Sequence, residues 1–423
     1  MKILVIGGGG REHAIVKKLK QSPRVSQLFA LPGNGGIAAD ATLVPIGAKE
    51  IDKIVAFATD EGIDFAVVAP DDPLALGAVD ALQQAGIPCF GPDKKAAEIE
   101  SSKVFSKNLM KKYGIPTAAF EVFDSEQKAL SYLDSAPIPT VIKADGLALG
   151  KGVVIAQDFE AAKTALDEMM RGGRFGKSGE RVVIEEYLEG PEVSVLAFTD
   201  GETVVPMVSS MDHKRALDGD EGPNTGGMGT VAPNPFYTPA VAEACMERIF
   251  LPTVRAMKAE GRPFRGCLYF GLMLTKDGPK VIEYNCRFGD PETQVVLPLL
   301  ESDLLAIMRA CASGTLSAEQ VVFRRGAACC VILASDGYPG KYEKGYEITV
   351  PAGLDAVVYH AGSALKDGRL VTAGGRVLGV TATGGTLEQA VERAYAAADR
   401  VHFQNAYCRR DIGQKALQQK GRS

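Results

Sequence analysis

The segment VIEYNCRFGDPETQ, residues 281–294, carries the most specific chemical pattern in the chain. Glu283 and Asn285 are two residues apart in a strand-like run, so their side chains should lie on the same face. A carboxylate oxygen and an amide oxygen together suit an octahedral Mg²⁺ that also binds phosphates. Arg287 continues the spacing and could hold a carboxylate or phosphate through two parallel hydrogen bonds. An ordinary buried strand would not place these three residue types in such a repeat.

The segment IKADGLALGKGVVIA, residues 142–156, is rich in glycine and bears a lysine, but it does not match the Walker phosphate loop. Only three residues separate Gly146 from Gly150, and Gly152 follows Lys151 where a hydroxyl should bind Mg²⁺. A β-branched run follows the loop, so we predict that it joins two strands and does not open a helix. Such a hairpin can close its backbone N–H groups over phosphates and open again.

Two lysines on separate elements could each meet a phosphate oxygen as a point charge. Lys143 lies in an apolar strand beside the glycine hairpin, and Lys103 begins a predicted helix that Ser101 or Ser102 caps. Farther along, VIEEYLEGPEVS ends a strand with carboxylates at Glu185, Glu186 and Glu192; the backbone after such a strand could pair with an adenine edge, and a carboxylate could accept two ribose hydroxyls. Taken alone, that acidic pattern favours a solvated strand end.

Two further segments suit an anionic substrate. DHKR at 212–215 is a charged cluster, and GPNTGGMG at 222–229 offers a nest of backbone donors. His213 could equally be an ordinary loop histidine. The GGGG run after the first strand lacks the third glycine of a dinucleotide fingerprint, because Glu12 and His13 stand there. It still places free N–H groups at a helix N-terminus, which suits a phosphate, although a plain tight turn is the alternative.

The composition describes a water-soluble globular enzyme. The net charge is −5, which gives no reason to expect nucleic acid or an anionic membrane as a partner. No run approaches the roughly 18 apolar residues that span a bilayer. The 8 cysteines form no C-x-x-C pair, and the 4 histidines are not spaced as zinc ligands. We therefore expect a cytoplasmic, monomeric protein with free thiols and without a zinc site.

The order of elements predicts three units of mixed α/β and α+β class. Alternating strands and helices over 1–99 indicate a doubly wound parallel sheet. Residues 100–320 should form a second domain, with a small strand–helix–strand lid subdomain at about 116–188. Its loop MDHKRALDGDEGPNTGGMGTVAPNPF reads as long and irregular. Residues 321–423 should form a strand-rich C-terminal domain.

The motifs together resemble the phosphoribosylamine–glycine ligase family of the ATP-grasp superfamily. The matching stretches run in family order from residue 7 to about 380 and include GGGGREHA, LPGNGG, SSKVFSK, the 142–156 hairpin, VIEEYLEGPEVS, DHKRALDGDEGPNTGGMG, NCRFGDPETQ, HAGS and GGRVLGVTA. NTGGMG with NCRFGDPETQ is highly specific, whereas the N-terminal glycines are weak. The resemblance implies an ATP-grasp core whose glycine hairpin is a lid over the ATP phosphates.

The resemblance also implies residue roles. Glu283 and Asn285 match the magnesium ligands, with Mn²⁺ as an alternative metal, and Gly271 stands where many other ATP-grasp enzymes carry a further Glu. ATP contacts are implied for Lys103, Lys143, Gly150, Lys151, Gly152, Glu185, Glu186, Leu188 and Glu192. Catalytic roles are implied for Lys143, Asp212, Lys214 and Arg287. Substrate contacts are implied for Gly9, Gly10, Arg11, Glu12, Asn34, Asp71, Asp212, His213, Lys214, Asn224, Thr225, Gly226 and Arg287.

The implied reaction joins glycine to 5-phosphoribosylamine at the expense of ATP, through a glycyl phosphate, in purine biosynthesis. Some positions depart from the family pattern: Asp71 replaces the usual Glu and is one methylene shorter, and Met211 replaces a usual Gln. The alternatives are an ATP-grasp ligase for another acid and amine, and a nucleotide-binding regulatory protein. A Rossmann oxidoreductase is disfavoured by the failed glycine fingerprint.

Overall fold

A computed structural model describes residues 1–147, 152–171 and 176–420 of the chain. The first 99 residues form a parallel sheet in the strand order β3–β2–β1–β4–β5. Its strands are β1 Lys2–Gly7, β2 Gln27–Pro32, β3 Thr42–Leu43, β4 Phe65–Val68 and β5 Cys89–Phe90. Its helices are α1 Gly10–Leu19, α2 Ile51–Glu61, α3 Asp71–Leu76 and α4 Ala78–Gln84. The doubly wound sheet predicted from the alternating pattern is confirmed.

A linker of two helices leads into the second region. They are α5 Glu98–Ser101 and α6 Lys103–Tyr113. Ser102 caps α6, because its hydroxyl accepts a hydrogen bond from the N–H of Phe105 at 3.1 Å. The cap fixes where α6 begins and so sets the position of Lys103 at its first turn.

The lid subdomain is a small antiparallel sheet in the order β6–β9–β7–β8. Its strands are β6 Phe120–Phe123, β7 Thr140–Ala144, β8 Val153–Ala156 and β9 Val182–Glu186. Two helices, α7 Glu126–Leu133 and α8 Phe159–Met170, bury small and branched side chains against one face of this sheet. β7 and β8 pair antiparallel from Thr140 with Ala156 to Lys143 with Val153, so the predicted hairpin is confirmed.

The strands of the central region are β10 Glu192–Asp200, β11 Val204–Pro206, β12 Met211–Asp212, β13 Arg215–Leu217, β14 Glu221–Asn224, β15 Gly229–Ala232, β16 Arg265–Thr275 and β17 Gly278–Asn285. The order β11–β10–β16–β17 makes an antiparallel sheet. Helices α9 Pro239–Cys245 and α10 Leu251–Ala259, joined by a π-helical turn at Met246–Phe250, pack on its apolar face.

The C-terminal region is strand-rich, as predicted. Its helices are α11 Thr293–Val296, α12 Leu304–Ser313, α13 Leu387–Ala398 and α14 Gln414–Lys420. Its strands are β18 Ala327–Ser335, β19 Val357–His360, β20 Ser363–Lys366, β21 Arg369–Thr372, β22 Arg376–Gly384 and β23 Ala406–Tyr407. Among the described residues, no helix combines the length and apolar character that a membrane crossing requires.

The segment 211–232 differs from the irregular loop expected from its composition. β13 and β14 pair with each other, and β12 pairs with β15. β15 in turn pairs with β18, which places the segment in the C-terminal sheet of order β12–β15–β18–β22–β19. Glycine and polar residues suggested irregularity, but pairing within the segment and the distant strand β18 supply the hydrogen bonds that order it. The domain boundaries near 99 and 320 stay a prediction.

Candidate active site

The end of β17 presents Glu283 and Asn285 on one face, as their spacing predicts. Tyr284 between them is buried in the core. Glu283 pairs with Gly271 of β16, and an added Cβ on Gly271 would lie 2.9 Å from the Glu283 Cγ. A glycine therefore leaves room for the Glu283 side chain, and the neighbouring strand offers no second carboxylate there.

Four cationic side chains converge electrostatically on Glu283. Burial alone would raise the pKa of this carboxyl, but the charges of Lys214, Lys143, Lys103 and Arg287 outweigh burial and lower it. The cations come from four separate stretches of chain, so the fold and not the local sequence gathers them. A site that gathers four cations is suited to a polyanionic ligand.

The lysines of the lid side are held by protein acceptors. Lys143 Nζ lies 3.0 Å from the carboxylate of Glu185 and donates to the carbonyl of Ile282 at 3.0 Å. Lys103 Nζ donates to the carbonyl of Gly146 at 2.9 Å. The lid sheet and the central sheet thus meet at Lys143, and both lysines have donors that an anionic ligand could use.

The other residues assigned to ATP follow β9. Glu186 is paired with Lys280 of β17 at 2.9 Å, Leu188 is half-buried, and Glu192 begins β10 with an exposed side chain. Gly152 is buried and its carbonyl accepts a hydrogen bond from the N–H of Ala144. Gly150 and Lys151 lie outside the described residues.

Arg287 is anchored beside Asn285. Its Nη2 lies 2.9 Å from Glu100 Oε1 and donates to Asn285 Oδ1 at 3.1 Å, while its buried Nε has no hydrogen-bond partner among the residues that the structure describes. The second oxygen of Glu100 accepts from the backbone N–H of Cys286 at 2.7 Å. Burial raises the pKa of Glu100. The positive charge of Arg287 opposes this rise, and the negative charge of Asp71 adds to it. The orphaned Nε is a donor that a bound anion could use.

The N-terminal glycine turn reaches the same region. Arg11 Nη1 donates to the carbonyl of Phe288 at 3.1 Å, and its Nε pairs with Glu12 Oε1 at 2.6 Å. Glu12 also accepts from the N–H of Gly9 at 2.6 Å, so this carboxylate occupies part of the turn. A Cβ on Gly10 would lie 2.6 Å from Gln294 Nε2, so a larger residue there would have to displace this amide, which donates to Asp290 Oδ1 at 2.7 Å.

Asn34 has a structural task in the structure. Its side-chain amide donates to the carbonyls of Gly8 and His360, and its oxygen accepts from the N–H groups of Gly36 and Ile37. All of these bonds hold loops together, so a substrate contact by Asn34 stays a prediction.

The charged segment after β12 brings Asp212 and Lys214 together, with Nζ 3.4 Å from Oδ2. Burial raises the pKa of Asp212 to about 7, although Lys214 opposes the shift. The His213 side chain points away from Asp212 and Lys214. Its Nδ1 donates to the Gly229 carbonyl, and its Nε2 accepts from the N–H of Gly413. Burial lowers the pKa of His213 to about 4, so it is a neutral bridge to the C-terminal segment.

The glycine nest is ordered from the C-terminal sheet. Thr225 Oγ1 donates to the Lys214 carbonyl at 2.9 Å, whereas Asn224 is exposed at the end of β14. Arg376 of β22 donates to the carbonyls of Gly226 and Asp290, both at 2.8 Å. Arg376 therefore connects the segment 222–229 to the loop that follows β17.

Several residues of the site were not assigned from the sequence. They are Glu100, Lys107, Tyr269, Asp290, Glu292 and Arg376. Asp290, Glu292 and Arg376 stand within quoted motifs, and Lys107 follows Lys103 by one helical turn, so spacing could have identified them. Glu100 and Tyr269 had no local signal, because their neighbours are distant in sequence.

The two sheets that meet at Lys143 and the convergent cations define an ATP-grasp fold. Residues 101–293 match a family model described as the ATP-grasp (A) domain of phosphoribosylglycinamide synthetase. Residues 1–100 match its N domain and 328–415 its C domain. The biotin carboxylase domain of Hydrogenobacter thermophilus 2-oxoglutarate carboxylase has a similar fold, with a TM-score of 0.75 over 96% of this chain and 91% of that chain at 19% identity.

The family follows from closer relatives. A phosphoribosylamine–glycine ligase of Caldanaerobacter subterraneus is 51% identical over 97% of this chain and 99% of its own length. The crystal structure of a phosphoribosylamine–glycine ligase from Thermotoga maritima is 38% identical, covers 97% of this chain and 100% of that chain, and has a TM-score of 0.87. The chain belongs to the phosphoribosylamine–glycine ligase family.

Proposed function

We infer that this chain is an ADP-forming carbon–nitrogen ligase that joins glycine to 5-phosphoribosylamine in purine biosynthesis. The family supports the reaction, and the observation that carries the chemistry is the set of four cations around Glu283. Phosphoryl transfer needs chiefly positioning and neutralisation of charge, which such a site supplies.

The chemistry explains why ATP is consumed. The carboxylate of glycine is a poor electrophile, because oxide would have to leave. Transfer of the γ-phosphoryl group gives glycyl phosphate and ADP, and the sugar amine then displaces phosphate. No protein nucleophile is required. Cys286, the cysteine nearest Arg287 in sequence, is buried, and burial raises the pKa of its thiol well above the ordinary value.

We propose that Lys103 and Lys143 bind the nucleotide phosphates, with the hairpin of β7 and β8 as the lid. Lid closure would keep water from the acyl phosphate. Arg287 would hold the glycine carboxylate or its acyl phosphate through the donor edge that includes the orphaned Nε.

Asp212 is proposed to accept the proton that the sugar amine loses on attack, because its pKa of about 7 suits a base near neutral pH. Lys214, 3.4 Å away, would stabilise the departing phosphate. The N-terminal glycine turn with Arg11 and the nest at 222–229 would receive the phosphosugar.

Glu283 and Asn285 fit a shared magnesium ion, since one carboxylate and one amide oxygen leave the other positions to phosphates and water. The glycine opposite Glu283 leaves space without adding another protein charge. Mg²⁺, or Mn²⁺, would neutralise phosphate charge at this position. The cytoplasmic location and the monomeric state remain predictions.

ADP release with each substrate omitted in turn tests the proposal. Turnover that requires both glycine and phosphoribosylamine supports it. Turnover with another acid or amine, ATP hydrolysis without either substrate, or nucleotide binding without turnover would each refute it and select a different ATP-grasp function.

A further inference from the structure

A second lysine of α6, Lys107, is buried beside Glu185, the carboxylate that also pairs with Lys143. Lys107 is only 2% exposed, and its Nζ lies 2.9 Å from Glu185 Oε2 and 2.8 Å from Thr117 Oγ1. The ring of Phe120 covers it, with the ring centroid 5.4 Å from Nζ. These contacts place Lys107 between α6 and the lid sheet.

Glu185 therefore binds two ammonium groups. Lys143 Nζ lies 3.0 Å from both carboxylate oxygens and donates to Oε2, which Lys107 Nζ also approaches at 2.9 Å; Oε1 accepts no hydrogen bond from the described residues. The side chains of Lys107, Glu185 and Lys143 are 3%, 3% and 6% exposed, so the cluster is sequestered from water. Glu185 carries one negative charge and the two lysines carry two positive charges, so one lysine is enough to neutralise Glu185.

We propose that Lys107 is a positioning residue that neutralises Glu185 and so frees Lys143 for the nucleotide phosphates. The proposal rests on the proposed role of Lys143 in ATP binding. Without Lys107, Lys143 would be the sole counter-charge of a buried carboxylate. Drawing Lys143 toward a phosphate would then leave Glu185 unpaired, which is strongly unfavourable in a buried site.

The first two lysines of α6, Lys103 and Lys107, thus have different tasks. Lys103 and Lys107 are four residues apart and lie on the same side of the helix. Lys103 reaches the carbonyl of Gly146 at the lid hairpin, whereas Lys107 reaches Thr117, whose hydroxyl donates to the carbonyl of Val281 at 2.7 Å. Lys103 can therefore meet a ligand. Lys107 instead helps to hold the lid sheet in position against α6.

The test is direct titration with ATP in the absence of glycine and amine. Lys107→Met should raise the ATP Kd by about 10-fold or more, since Lys143 is then retained by Glu185. Turnover at saturating ATP should fall by less than about 3-fold, because Lys107 touches no reacting group. Lys111→Met is the matched control: Lys111 is exposed on the same helix beside the same Phe120 ring, and its removal should leave the Kd unchanged.

A double-mutant cycle separates positioning from a merely structural role. In a Glu185→Gln background no charge retains Lys143, so adding Lys107→Met should change the ATP Kd by less than about 2-fold. An equal loss in both backgrounds would overturn the proposal, as would an unchanged Kd for Lys107→Met. Lys107→Gln keeps hydrogen-bond donors for Thr117 and Glu185 but has no charge, so it should lose as much ATP affinity as Lys107→Met. It replaces the Met variant in the test if that variant does not fold.

The nucleotide titration also distinguishes this proposal from the proposed function. It needs no ligase turnover, so a wrong glycine or amine assignment would not alter it. If Lys143→Met leaves the ATP Kd unchanged, the assignment of Lys143 to the nucleotide fails, and the proposal for Lys107 fails with it. If Lys143→Met weakens ATP while Lys107→Met does not, only the proposal for Lys107 is refuted.

Discussion

Replacing Arg287 by lysine keeps the positive charge but removes the planar fork. The guanidinium contacts Glu100 and Asn285 through Nη2, and its Nη1 donates to the carbonyl of Phe288 at 3.3 Å. Its Nε is left for a ligand. A lysine has one nitrogen, and if Glu100 retains it, the bond to the ligand is lost. The expected result is therefore a chemical defect with nucleotide binding largely intact.

The magnitude follows from the bonds that are lost. One hydrogen bond to a charged group contributes about 1.5–3 kcal/mol, and a second weakened bond brings the range to about 1.5–4 kcal/mol. Turnover should fall by about 10- to 10³-fold. ATP affinity should change by less than about 3-fold, because Lys103 and Lys143 remain.

The assay combines nucleotide titration, steady-state kinetics and positional isotope exchange in ATP with glycine alone. Isotope exchange reports formation of the acyl phosphate separately from capture by the amine. Arg369→Lys, in a surface ion pair with Glu347 at 3.3 Å, is the control for an arginine-to-lysine change remote from the site. The assignment is refuted if ATP affinity collapses while the dependence on glycine is untouched.

Three further predictions concern the metal, the base and the lid. Glu283→Gln should lower turnover by about 10²-fold and more steeply at limiting Mg²⁺; an unchanged Mg²⁺ dependence would remove Glu283 from the metal site. The wild-type kcat/KM for the sugar amine should rise with pH through about 7, because Asp212 accepts a proton only in its ionised form. Asp212→Asn should lower the rate and abolish that rise; a variant that keeps it would contradict the role as base. Hydrogen exchange in β6, β7 and β9 should slow with ATP while the β20–β21 hairpin is unaffected, and equal exchange in both states would argue against lid closure.

The sequence predicts the parts of the site that depend on short spacing. Glu283 and Asn285 share a face because a strand repeats every two residues, and Gly271 does lie opposite Glu283. Ser102 caps its helix, and the glycine-rich hairpin joins two strands, because these features depend on neighbouring residues. The family resemblance then gave the reaction, which the spacing of residues alone could not identify.

Features that depend on distant neighbours could not be predicted. Glu100 and Arg287 are 187 positions apart in the sequence, and nothing near either residue indicates the pair. The helical spacing of Lys107 was visible, but its counter-ion Glu185 was not. Segment 211–232 looked irregular, because β15, which holds β12, finds its other partner in β18, whose residues follow about a hundred positions later.

The pairing of β15 with β18 has a consequence for the order of folding during synthesis. Gly229 pairs with Val331, so 102 residues, from 229 to 331, must be translated before this strand has its partner. Domains generally fold from the N-terminus as the chain emerges. The lid sheet, Lys103, Lys143 and Glu283 can therefore be in place on the ribosome while β15 still lacks β18. We expect the emerging chain to form the lid and central sheets first and to become a complete ligase only when the C-terminal sheet closes.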